Sequence, residues 1–383
     1  MPESLFAALK RRVSRFEGDV MPFHIGDTYL DPPSEARLGN LGFSSGSDPD
    51  IYRYNPAPGK ADFIDVVHEK VNRLNGMTWA NPSNIQITAG ATHALFCAVR
   101  AVMNHGDQIL LLAPHWPLMR GISVSAGVRP VEVPFSHVLL RQENCDTKSL
   151  LENFITPDTA AIYMSNPNNP DGKVYSKEEL AVIAEVAQKH NLWVISDEVY
   201  ERFTFDEREH ESIANIPGMR ERTMTVFSSS KSFALPGLRV GYVVGPSDAI
   251  VAIRKMSNHS VYAVPRAMQR AAMAAMQNGN DFVVTARANY QKARDEAFEQ
   301  VVAPCARPEG CTYLFLDLSA WCESEDSCYG VLENLAEAGI LLAPGVAFGH
   351  LYQKWARLCY TSMPLTKMKD GVARLNQVLA TLV

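Results

Sequence analysis

Met224-Thr225-Val226-Phe227-Ser228-Ser229-Ser230-Lys231 joins an apolar run to three hydroxyls and a lysine, with Arg239 and Gly241 close behind. Met224 to Phe227 reads as a short buried strand. Hydroxyls before a lysine and a fixed cation after it can bind phosphate oxygens through charge-assisted hydrogen bonds. The lysine amine can condense with an aldehyde. Taken alone, a lysine at a strand end is more often a solvated loop residue, so the rest of the chain has to decide.

The flanking sequence repeats the pattern. Apolar runs at Asn84–Thr88, Gln108–Leu112, Ala160–Ser165, Leu192–Ser196, Thr223–Phe227 and Val240–Val244 alternate with helical patterns, the mark of a mainly parallel sheet with crossover helices. Ser176 and Glu179 form a capping box that opens a helix with Leu180, Ile183, Ala184 and Ala187 on one face. Asn191 closes that helix before the next strand. A right-handed crossover makes the strands at 160 and 192 parallel, so their carboxyl ends share one edge. Ligands bind at that edge in open α/β sheets. Polar and aromatic groups collect just beyond the strand ends: Gly90-Ala91-Thr92, His115-Trp116-Pro117, Asn166 to Gly172, Asp197-Glu198-Val199-Tyr200 and Ser228 to Lys231.

After about residue 265 helical patterns dominate, then a strand at Thr312–Asp317, a helix near 327–338, short strands near 340 and 357 and a helix from about 365. The division expected is an arm and part of the small domain over 1–45, a large domain over 46–265 and a smaller α+β domain over 266–383, the small domain packing with the N-terminal segment.

Composition narrows the function. The chain has 383 residues, 46% hydrophobic and 20% charged, ordinary for a globular protein. A net charge of −6 without long charge blocks argues against nucleic-acid or membrane-surface partners. No apolar run approaches the roughly 18 residues of a membrane span. Met1 to Val20 is charged and lacks an apolar core, so no secretory leader is expected and a cytoplasmic location is. The seven cysteines include no Cys-x-x-Cys pair, the ten histidines no His-x-x-x-His pair, and no metal site is expected.

In order and spacing these motifs resemble the class I/II aminotransferases, pyridoxal-phosphate enzymes of the aspartate aminotransferase fold. The resemblance covers essentially the whole chain. It rests on Tyr54 with Gly59, the Gly90 turn, Trp116, Asn169-Pro170-Asp171-Gly172, Asp197-x-x-Tyr200, Ser228-x-x-Lys231, Arg239 and Arg357. It implies an α/β pyridoxal-phosphate-transferase fold: a large domain with a mainly parallel mixed sheet flanked by helices, plus a smaller α+β domain. By the same resemblance Lys231 would hold pyridoxal 5'-phosphate as a Schiff base and carry protons. Asp197 would pair with the pyridine nitrogen, and Tyr200 and Asn169 would bind the phenolate oxygen. Trp116 would stack on the ring. Gly90, Ala91, Thr92, Ser228, Ser230 and Arg239 would form the phosphate site, with Tyr54 reaching it from the neighbouring subunit of a homodimer. Arg357 would hold the substrate α-carboxylate in a fork, with Gly26 closing over it and Trp116 and Asn169 beside it.

The activity implied is exchange of an amino group between an L-amino acid and a 2-oxo acid. A carbon–sulfur lyase, a cyclising synthase or an oxidase/decarboxylase on the same fold remains the alternative, since all need the same lysine, aspartate and arginine. Two departures bear on substrate. Thr92 stands where one aspartate-selective subgroup carries a lysine, and Gly26-Asp27-Thr28 replaces the usual Gly-x-Pro. A neutral, aromatic or unusual amino donor is therefore as well supported as aspartate.

Overall fold

The computed structural model describes residue 9 and residues 11–43, 49–140 and 145–382; the very start of the N-terminal arm lies outside the described residues. Short apolar runs, buried on both faces, build a seven-stranded sheet. Its strands are β1 (Ile85–Thr88), β2 (Gln108–Leu112), β3 (Arg129–Val133), β4 (Thr159–Ser165), β5 (Trp193–Asp197), β6 (Thr223–Ser228) and β7 (Gly241–Val244). Their spatial order is β1-β7-β6-β5-β4-β2-β3. The six expected strands are present, each end within one residue of its expected place. β3 was not among them. Its Pro130 removes a ladder donor and argues against a strand, but β3 lies at the sheet edge, where proline is tolerated.

The crossover between β4 and β5 is as the capping box implies. Glu179 N–H donates to Ser176 Oγ at 3.2 Å, and Ser176 N–H donates to Glu179 Oε2 at 2.7 Å. Leu180, Ile183, Ala184 and Ala187 of the helix Lys177–Lys189 pack with Leu110, Ile162 and Val194 under the sheet. Asn191 at φ 50° turns the chain into β5, which pairs parallel with β4. On the other face, Ala94, Leu95 and Ala98 of the helix Gly90–Val102 pack with Ile109, Tyr163, Ile195, Val243 and Ile250.

Pairing directions decide where the site can be. β7 is antiparallel to both its neighbours, β6 and β1, whereas β2, β3, β4, β5 and β6 run parallel. β1 therefore points the same way as β6. The carboxyl ends of β1, β2, β4, β5 and β6 share one edge, and β7 brings its amino end to that edge.

A second, antiparallel sheet has β8 (Tyr313–Asp317), β9 (Ala343–Pro344) and β10 (Trp355–Cys359) in the order β8-β10-β9. Met21 and Phe23 of the arm pack with Leu314, Leu316, Leu358, Val372 and Leu375. Cys359 N–H donates to the Phe23 carbonyl at 2.8 Å.

A buried ion pair braces the turn after β5. Lys70, on the helix Ala61–Asn75, bonds Glu201 and Asn75 and lies 4.2 Å from the centre of the Phe227 ring. Burial works against the charge on both partners; Lys70 nevertheless holds the Glu201 carboxyl below its usual range. Removing one partner of such a pair strands the other charge. Lys70→Met should cost about 3 kcal/mol in chemical denaturation, and adding Glu201→Gln should restore most of it.

Candidate active site

The carboxyl ends of β1, β2, β4, β5 and β6 and the amino end of β7 lead into a single cavity. Its volume is about 250 Å³, and Gly26, Ala91, Thr92, Trp116, Asn169, Asp197, Tyr200, Ser228, Ser230, Lys231, Arg239 and Arg357 line it. Of the residues expected from the sequence, Gly90 sits just behind Arg239, and Tyr54 lies outside the cavity on the surface. Tyr54 is 84% exposed, edge-on to Tyr262 at 5.1 Å. Ser165, Val199, Pro236 and Tyr313 complete the lining.

One end of the cavity suits an anion. The helix Gly90–Val102 begins there, and the first amides of a helix have no carbonyl one turn back, which favours negative charge. Gly90 has φ +78°, and a Cβ there would stand 2.4 Å from Arg239 Nη2. Ser228 caps the short helix Ser229–Ser232: Ser230 N–H donates to its Oγ at 3.1 Å, and its hydroxyl reaches Ser230 Oγ at 2.9 Å. Arg239 follows the turn Pro236–Leu238 in the left-handed region, φ 55°, and leads into the amino end of β7.

Asp197, the last residue of β5, stands beyond this anion end and is 5% exposed. Its Oδ2 accepts from Tyr163 Oη at 3.2 Å, and its Oδ1 from Val199 N–H at 3.4 Å. Burial pushes its pKa up to about 6 against the pull of Val199, Tyr163 and Lys231. Lys231 bonds the Gly26 carbonyl, and burial lowers its pKa.

The opposite end suits a carboxylate. Arg357, on β10, is 7% exposed, so it is no surface arginine. Its Nη1 donates to Asn169 Oδ1 at 3.0 Å and its Nη2 to the His24 carbonyl at 2.8 Å. Nε is buried without a partner. The guanidinium lies 4.1 Å from the centre of the Tyr313 ring, and Tyr313 Oη meets Tyr200 Oη at 2.5 Å. Tyr313 also explains Gly26, since a Cβ at 26 would fall 2.2 Å from Tyr313 Oη. Burial raises the Tyr200 pKa well above its ordinary value, so its phenol stays protonated.

Loop anchors hold the remaining walls. Asn168 Nδ2 donates to the Pro114 carbonyl at 2.9 Å and to Asp171 Oδ1 at 2.8 Å, fixing the loop that carries Asn169. Beside Trp116, His115 N–H donates to the Phe348 carbonyl at 2.9 Å, and Glu132 bonds His350. Burial opposes the charge on Glu132, but the nearby His115, 3.5 Å away, and the bonds from His350 hold its pKa down at about 2.

Tyr313 escaped notice because its strand reads as core packing; the clue was that strand neighbours two apart share a face, which puts Tyr313 and Phe315 with Arg357. The donor set fits pyridoxal phosphate: amides, hydroxyls and a guanidinium for the phosphate, Asp197 for the ring nitrogen, an enclosed amine for the aldehyde and Trp116 for the ring face.

Comparison with known proteins gives the class. The aminotransferase class I and II family pattern matches residues 18–375. A probable aspartate/prephenate aminotransferase of Thermus aquaticus is 31% identical over 371 residues, 94% of this chain and 92% of the relative. Among solved structures, a Thermus thermophilus aspartate aminotransferase variant is 29% identical with a TM-score of 0.89, covering 99% of this chain and 97% of that one. The aromatic aminotransferase from Pyrococcus horikoshii is 29% identical with a TM-score of 0.87, covering 98% and 100%. The chain belongs to the class I and II aminotransferases. It is a pyridoxal-phosphate-dependent amino acid aminotransferase of the aspartate aminotransferase fold.

Gly90→Ala forces Arg239 aside and strains the backbone, so it should weaken binding of pyridoxal phosphate to the apoprotein about tenfold or more by fluorescence titration, with little change in fold by circular dichroism.

Proposed function

We propose that the enzyme transfers the amino group of a donor without a second carboxylate to a 2-oxo acid, with Lys231, Asp197 and Arg357 as its central residues. The observation that carries the donor class is the cation inventory of the cavity: Lys231, Arg239 and Arg357. Each has a task in this reading, so among the described residues of one subunit none that lines the cavity is left for a distal carboxylate, and Thr92 lies on the wall. The names of the two Thermus proteins include aspartate, so the donor class separates this chain from them.

When bound, pyridoxal phosphate supplies an aldehyde to which amines add and a ring that draws electrons from the substrate Cα. Around it the chain binds, aims and moves protons. The amides of Ala91 and Thr92, the hydroxyls of Ser228 and Ser230 and the Arg239 guanidinium hold the phosphate. Asp197 holds a proton on the ring nitrogen, Tyr200 and Asn169 bond the phenolic oxygen, and Trp116 covers the ring face. Arg357 grips the α-carboxylate with its free N–H groups, a fork a lysine could not offer. Gly26 closes over that carboxylate. Lys231, its charge disfavoured by burial, takes the proton from the substrate Cα.

The test is the visible absorbance of the loaded enzyme as amino acids are added singly. Neutral or aromatic donors should bleach it, a 2-oxo acid should restore it, and Lys231→Ala should show neither change nor turnover. Bleaching by aspartate at the lowest concentrations would overturn the donor class, and full turnover by Lys231→Ala would overturn the role of the lysine.

The reading also includes a homodimer with shared sites. Tyr54 would complete the partner's phosphate site, and its 84% exposure supports this. Sedimentation should give twice the chain mass, and Tyr54→Phe should weaken cofactor binding several-fold, the loss of one hydrogen bond to a charged group. A monomer with full cofactor affinity would remove this part of the reading.

A further inference from the structure

The carboxylate at the heart of this site has few donors. A buried ionised carboxyl group is costly unless hydrogen bonds or opposite charges hold it. Among the described residues, Asp197 Oδ1 has only the long contact from Val199 N–H at 3.4 Å. The shorter bond comes from another strand: Tyr163, on β4, donates its phenol to Oδ2 at 3.2 Å. In the β4–β5 register Asp197 faces Ser165 and Tyr163 faces Ile195, so the tyrosine reaches Asp197 along the diagonal. Its ring belongs to the fully buried cluster between the sheet and the helix Gly90–Val102.

We propose that Tyr163 is a positioning residue of the aminotransferase reaction, holding the Asp197 carboxylate ionised through its phenol. The inference rests on Asp197 being the partner of the cofactor's ring nitrogen. Burial and the neighbouring Asp197 raise the pKa of Tyr163 well above its ordinary value, so it remains a donor across the working range. The other groups around Asp197 do not supply the same bond. Lys231 adds favourable charge from across the cavity. Glu198, next in the chain, is engaged by Ser196 at 2.9 Å and Ser212 at 2.8 Å, with His210 beside it. Burial keeps Glu198 neutral up to about pH 8 and His210 neutral down to about pH 4, so neither changes charge near pH 6.

The sign of the effect follows. A hydrogen bond to the charged form stabilises it, so losing the phenol moves the titration of Asp197 upward from about 6. Between the old and new values Asp197 is charged in the wild type and neutral in the variant. The ring nitrogen loses its partner in that window alone.

The experiment is binding of pyridoxal phosphate to the apoproteins of wild type, Tyr163→Phe, Asp197→Ala and the double variant, followed by fluorescence across the pH range. The cofactor's phosphate also titrates near pH 6, so each variant is read as its ratio to wild type at the same pH. Phenylalanine keeps the ring in the core and removes only the hydroxyl. Tyr163→Phe should weaken binding by up to about tenfold, the loss of a hydrogen bond to a charged group, greatest just above pH 6 and smaller on either side. On the Asp197→Ala background it should change nothing further. Unchanged binding, a loss equal at every pH, or a further loss on the Asp197→Ala background would each overturn the role of Tyr163. If Asp197→Ala itself binds like wild type at every pH, the assignment of Asp197 fails first.

Discussion

The reversal of β7 is the constraint from which the site follows. Five carboxyl ends at one edge would give hydroxyls, a carboxylate and a lysine, but a parallel neighbour of β6 would begin at the far edge. Because β7 pairs antiparallel with β6 and β1, with Ser228 and Thr88 both opposite Gly241, the segment just before it lands among the strand ends. That segment carries Arg239, two residues ahead of the strand. The same arrangement brings the arginine against the first turn of the helix after β1, where glycine makes room. Backbone hydrogen bonding thus places a fixed cation within the anion-binding end, a geometry that flexible loops would hold poorly.

Charge in the cavity is arranged to be completed by its ligand. Burial disfavours the ionised form of Asp197 and the ionised form of Lys231 alike. In the proposed reading, a protonated ring nitrogen would satisfy the first, and condensation with an aldehyde would engage the second. The end that suits a carboxylate is built differently: Arg357 lies against aromatic rings and is bonded on two nitrogens within the chain, so an anion bound there would need little reorganisation. The bond from Arg357 to Asn169 crosses from the second sheet to the loop after β4, so the two sheets meet in one network at the cavity.

Much of this was legible in the chain because it depends on local rules. Buried parallel strands read as plain apolar runs, the Ser176–Glu179 box marks a helix start, and the polar clusters fall where strands end. What escaped did so for reasons of context. Pro130 argues against a strand unless the strand is known to be at an edge, and edge position is a tertiary fact. Tyr163 lies in Ala161-Ile162-Tyr163-Met164, an apolar run in which a tyrosine looks like core filling; only the register with β5 reveals its phenol on Asp197. Tyr313 is similar, a strand aromatic whose importance comes from Gly26, Tyr200 and Arg357, residues far away in sequence.

The N-terminal arm touches two cations of the cavity through its main chain. Lys231 bonds the carbonyl of Gly26, and Arg357 bonds the carbonyl of His24. A carbonyl is present whatever side chain the residue bears. Evolution can therefore rewrite the side chain at position 24 without disturbing the aim of Arg357.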